Sequence, residues 1–117
     1  MQLNEMSFKD AVPVDGYGPG FFRVADQVFE GPLLLTATGV LPWGGLDDDA
    51  ALVALKDQID VLFVGTGAEI THIPADLRRK LEEVGLGVES MSSPSACRTF
   101  NVLLSEGRRV AVAALPV

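Results

Sequence analysis

Between Leu33 and Leu115 the chain alternates apolar runs of strand length with stretches whose apolar residues recur at helical spacing, and nothing else limits its fold as strongly. The strand candidates are Leu33-Leu34-Leu35-Thr36-Ala37, Val61-Leu62-Phe63-Val64, Gly87-Val88-Glu89-Ser90-Met91 and the run from Arg109 to Leu115. The most apolar of them suit strands covered on both faces, because a face in water would show polar residues at every second position. Three helical patterns lie between. Ala51, Leu52, Leu55 and Ile59 follow Asp47-Asp48-Asp49. Leu77, Leu81 and Val84 follow Pro74, which suits the first helical position, and stop at Gly85. Ala96, Phe100, Leu103 and Leu104 follow Ser93 as N-cap and Pro94 at the first helical position, and Gly107 ends the run. Strand–helix–strand units of this kind predict right-handed crossovers and a largely parallel sheet.

Upstream, Tyr17-Gly18-Pro19-Gly20 is a turn signal. Phe21–Val24 and Gln27–Phe29 read as a hairpin around Ala25-Asp26, which should add an antiparallel part and make the sheet mixed. Trp43 falls in a loop with Gly39, Pro42, Gly44 and Gly45. A chain of 117 residues is one domain, 1–117, with residues 1–16 expected to form a less regular N-terminal segment. Nine Lys and Arg against sixteen Asp and Glu leave a net charge of −7, which disfavours nucleic acid and anionic membranes as partners. No apolar run approaches the length of a membrane span, so no membrane insertion is expected. Cys97 is the single cysteine, which excludes an internal disulfide. The first eighteen residues show neither a secretory signal nor an Arg-rich presequence, so the expected setting is cytoplasmic and prokaryotic.

Several residues invite chemistry, each against a plainer reading. Gly65-Thr66-Gly67 ends a buried strand at the edge where open α/β sheets place ligands. A dinucleotide fingerprint would need glycine where Ile70 stands, so a tight turn is the default and no cofactor is implied. His72 and Cys97 belong to the same edge and would be the minimum for a thiol nucleophile, against the habit of free cysteine to pack as a small hydrophobe. Arg98 and Asn101 share a helix face on which Arg98 could hold a carboxylate or phosphate with Thr99 and Asn101 beside it. The plainer reading pairs Arg98 with Glu89 or Glu69 and has Asn101 fix a loop. Asp47-Asp48-Asp49 suits a helix start, and a lone His gives no structural metal site. Trp43 serves equally as an exposed partner anchor or a core plug. No paired carboxylates, nucleophile elbow or phosphate loop are present.

Pro94-Ser95-Ala96-Cys97-Arg98-Thr99-Phe100-Asn101, followed by Glu106-Gly107-Arg108, together with Val64-Gly65-Thr66-Gly67, Ala113-Ala114-Leu115, Asp15-Gly16-Tyr17, Gly20-Phe21 and Trp43, resembles the Mth-like single-domain family. That family is largely of unknown function and includes a mitochondrial assembly factor for respiratory complex I. The resemblance runs from about Asp15 to Val117. It implies a three-layer α/β fold around a mixed sheet, and a non-enzymatic domain that binds an unidentified protein partner. It also implies a site drawn from Gly65, Gly67, Cys97, Arg98, Thr99, Asn101 and Arg108, to which His72 is added from the edge reading. The rival is a small-molecule binder or enzyme at the carboxyl edge around Gly65, Cys97 and Arg98. Monomer and homodimer stay open.

Overall fold

A computed structural model describes residues 11–117. Two sheets and three helices form in the order β1 (Val14–Gly18), β2 (Phe21–Val24), β3 (Gln27–Glu30), β4 (Leu33–Thr36), β5 (Gly39–Leu41), α1 (Asp49–Val53), β6 (Val61–Thr66), α2 (Ala75–Glu83), β7 (Gly87–Met91), α3 (Ser93–Ser105) and β8 (Val110–Leu115). The larger sheet has the order β5-β4-β8-β6-β7. Its β8-β6-β7 part is parallel, as the two crossover helices require, while β4 runs antiparallel to both β5 and β8.

Successive residues of each central strand feed opposite cores, which is why these strands read as unbroken apolar runs. On one face Leu34, Leu62, Val64, Ala111 and Ala113 pack with Leu52, Leu77 and Leu81 from α1 and α2. On the other, Leu33, Leu35, Phe63, Val112 and Ala114 pack with Ala96, Phe100 and Leu104 of α3 and with Val14, Phe22 and Val24 of the small sheet. The domain therefore has three layers: α1 and α2, the five-stranded sheet, then α3 with the small sheet. Each fully buried aliphatic side chain contributes roughly 1.5–3 kcal/mol.

The hairpin forms around Ala25-Asp26 as expected, with Val24 opposite Gln27. It does not extend the large sheet; with β1 it builds a separate three-stranded sheet, β1-β2-β3. Residues 1–10 lie outside the described residues, and the irregular segment expected over 1–16 has already become β1 at Val14. Regular α-helix in α1 ends at Val53, because the next turns tighten to i→i−3 bonds, Leu55 to Leu52 and Lys56 to Val53, while Leu55 and Ile59 stay buried. Pro74 is the N-cap of α2, one position earlier in the helix register than expected, and the N-cap of α3 is Ser92, leaving Ser93 within the first turn.

Candidate functional site

The carboxyl edge of the sheet brings together the turn after β6 and the start of α3. Gly65 pairs with Met91 and with Ala114, and Thr66 with Leu115, so the three strand ends lie side by side. Ser92 accepts the Ser95 N–H at 3.3 Å, which caps α3 and turns Ser93 inward, where it is completely buried. There Ser93 Oγ accepts the Gly67 N–H at 2.9 Å and donates to the Leu115 carbonyl at 2.5 Å. The Ser93 N–H donates to the Gly67 carbonyl at 2.7 Å. A Cβ on Gly65 would stand 2.7 Å from both Cα and Oγ of Ser93, and Gly67 has φ +101°. Both glycines of the motif are thus required by backbone approach and conformation. Thr66 Oγ1 lies 2.9 Å from the Glu69 carbonyl and 3.2 Å from the Met91 carbonyl, its one proton shared between them, and accepts the Thr71 N–H at 2.9 Å. Ser93 thus bridges the turn after β6 and the end of β8 at the edge where open α/β sheets place ligands.

Cys97 and His72 do not form a nucleophilic pair. Cys97 is buried in the α3-side core, and burial pushes its thiol from an ordinary 9.0 up to about 12, against a smaller opposing pull from Arg98. His72 is exposed, and its neighbour Ile73 anchors in the core on the other face of the sheet. Thr99 Oγ1 lies 3.7 Å from Met91 Sδ, a weak contact that joins α3 to β7. Asn101 acts as a clip: its Oδ1 accepts the Val14 N–H and its Nδ2 donates to the Val14 carbonyl, both at 2.9 Å, so it satisfies β1 as a paired strand would. Arg98, expected beside it, turns to solvent and reaches Ser95 Oγ at 3.3 Å. Among the described residues it makes no ion pair with Glu89, Glu69 or any other carboxylate.

Two further residues stand elsewhere than expected. Arg108 precedes β8, whereas Gly65 pairs with Ala114 near that strand's far end. The six residue steps between them span roughly 20 Å, so Arg108 belongs to the amino edge and not to the rim. Trp43 is only 8% exposed and packs with Leu34, Leu52 and Leu77, its Nε1 donating to the Asp48 carbonyl at 3.1 Å. It is a core plug rather than an exposed anchor, because the Gly/Pro loop folds it beneath itself. Asp48 accepts the Gly44 N–H at 3.0 Å and Asp49 pairs with Lys80 at 2.6 Å, so two of the three consecutive acids are structural. Among the described residues no three metal-ligating side chains cluster, and no helix is long and apolar enough to cross a membrane. Ser93 is the rim residue that sequence reasoning missed. The sequence places Ser93 as the N-cap, and the structure moves that role to Ser92 and turns Ser93 inward.

Fold and rim together define a class: a three-layer α/β domain whose carboxyl edge is stapled shut by its own backbone and one serine. Within that class, the family model described as "Protein of unknown function (DUF498/DUF598)" matches residues 14–115, and the chain belongs to this family. An uncharacterized protein of Rhodobacter capsulatus is 53% identical over 117 residues, covering 100% of this chain and 94% of that protein. NADH dehydrogenase [ubiquinone] 1 alpha subcomplex assembly factor 3 of Danio rerio is 34% identical over 107 residues, covering 86% of this chain and 62% of its own length. This chain thus spans less than two thirds of that assembly factor. Among solved structures, an outer membrane protein from Bartonella henselae superposes with a TM-score of 0.82 at 37% identity, covering 95% of this chain and 99% of that one. A Bordetella pertussis protein described as an Mth938-like domain gives a TM-score of 0.76 at 27% identity, covering 99% and 92%.

Proposed function

We propose that the chain is a non-enzymatic protein-binding module that engages its partner through the outer face of α3. The observation that carries this reading is the pair Arg98 and Val102. They stand one turn apart on α3; Val102 is 46% exposed, and Arg98 is free of ion pairs among the described residues. Arginine is enriched at interface hot spots, and the exposed Val102 beside it adds apolar area that a partner could cover. The relationship to proteins named as complex I assembly factors supports a partner of protein rather than small-molecule nature. Against a ligand or enzyme site at the carboxyl edge stand the Ser93 side chain bonded between Gly67 and Leu115 and the suppressed ionisation of Cys97.

Affinity capture from the native host tests the reading. Arg98→Glu and Val102→Glu are each expected to reduce recovery of one specific partner at least tenfold, with unchanged thermal melting. Recovery of no partner, or of one that both variants retain, overturns it. The cytoplasm is the compartment this reading uses. Fractionation that leaves the protein in membranes after a high-salt wash would place it elsewhere.

A further inference from the structure

A cavity of about 730 Å³ opens at the amino edge of the large sheet, at the opposite end of the molecule from the rim. Ile59, Leu104 and Val110, each nearly buried, form apolar walls, and Ala37 stands in the β4–β5 turn at its side. The size falls in the range of small-molecule sites, about 300–1,000 Å³. Two guanidinium groups belong to the lining, and they are not equivalent. Arg109 is committed: its Nη2 donates to the Asp57 carbonyl at 3.2 Å, and its Nε lies 3.6 Å from the Asp60 carboxylate. Arg108 has no carboxylate within ion-pair reach among the described residues. We propose that this cavity binds small amphipathic monocarboxylates, with the apolar tail against Ile59, Leu104 and Val110 and the carboxylate on Arg108.

The charge of the ligand follows from what surrounds Arg108. One planar guanidinium matches one carboxylate through two parallel hydrogen bonds. Glu106 also lines the cavity, and α3 ends there, presenting the negative end of its dipole. Those two features oppose any further negative charge, so a phosphate or dicarboxylate is disfavoured where a single carboxylate is held. This assignment is independent of partner binding, since Arg98 and Val102 take no part in it.

Calorimetric titration of the full chain with octanoate and with 1-octanol tests it. Octanoate is expected to bind with one-to-one stoichiometry. Arg108→Ala should weaken octanoate at least tenfold while leaving octanol binding unchanged. Ala37→Trp, placed in an exposed turn at the cavity's side, should obstruct it and weaken both ligands, and Arg98→Ala should alter neither. Thermal melting of each variant checks that it is folded. Octanoate that fails to saturate, or that binds Arg108→Ala as tightly as the parent, overturns the proposal whatever Ala37→Trp does.

Discussion

Gly67 and Ser93 are 26 residues apart, yet each hydrogen-bonds the other, and Gly65 leaves room for that contact. A methyl group at Gly65 would meet the Cα of Ser93, which cannot rotate away, so Gly65→Ala is expected to cost about 1–3 kcal/mol or more, read from the urea midpoint at constant slope. Ser93→Ala leaves the Gly67 N–H without its acceptor inside the protein, a loss of about 1–3 kcal/mol by the same measurement. Cys97 makes a prediction in pH. Its thiol is neutral at pH 7 whether the chain is folded or not. Above about pH 9 the unfolded thiol loses its proton while the folded one keeps it to about 12, so the unfolded state binds fewer protons and stability falls as pH rises through that interval. Cys97→Ala should show a shallower decline in urea midpoint between pH 8 and 10, and iodoacetamide should leave the native thiol unlabelled at pH 8. The hairpin turn supplies a gain instead: Ala25 and Asp26 sit at φ 52° and 62°, the left-handed pair of a type I′ turn that Asn-Gly fits better. Replacing them by Asn-Gly should raise stability by about 1 kcal/mol in thermal unfolding.

At the scale of elements, α3 is the part that holds the layers in place. Its stripe of Ala96, Phe100 and Leu104 packs on the large sheet, while Asn101 clips β1 from the side. Asn101→Ala is expected to cost about 1–3 kcal/mol and to speed amide exchange at Val14 well beyond exchange in β6, as seen by NMR. The sequence offers Asn101 either as a ligand contact or as a residue fixing a loop, and the clip is of the second kind; its partner could not be named, because it is backbone 87 residues away. The legible elements were those whose periodicity and boundaries agreed: β6 through β8, with Gly85 and Gly107 ending their helices at positive φ. β1 hid behind its own glycines, since Val14-Asp15-Gly16-Tyr17-Gly18 carries turn residues in a strand. β5, only three residues long, offered no period to read. The site fared likewise. The convergence of the Gly-Thr-Gly turn with the start of α3 could be read from topology, but which residues face inward could not. Trp43, Arg98 and Asn101 differ in exposure for reasons that lie in distant segments.

The whole molecule carries one tryptophan and one tyrosine, and the fold puts them in different layers. Trp43 lies in the core shared by α1 and α2, and Tyr17 on the small sheet at the other side. A domain of this size whose layers share one central sheet should unfold as a unit. Trp43 fluorescence, Tyr17 fluorescence in a Trp43→Phe background and far-ultraviolet circular dichroism should each give a single transition, coincident between probes in the same protein. Separate midpoints within one protein would mean that the small sheet melts on its own. The position of β8 adds a constraint in time. It is the last of the strands, and it lies between β4 and β6. Until it has left the ribosome, the earlier segments are two incomplete half-sheets with bare backbone along the edges that will later meet. Vectorial synthesis therefore cannot settle this domain piece by piece; the large sheet becomes continuous only when its closing strand slides in.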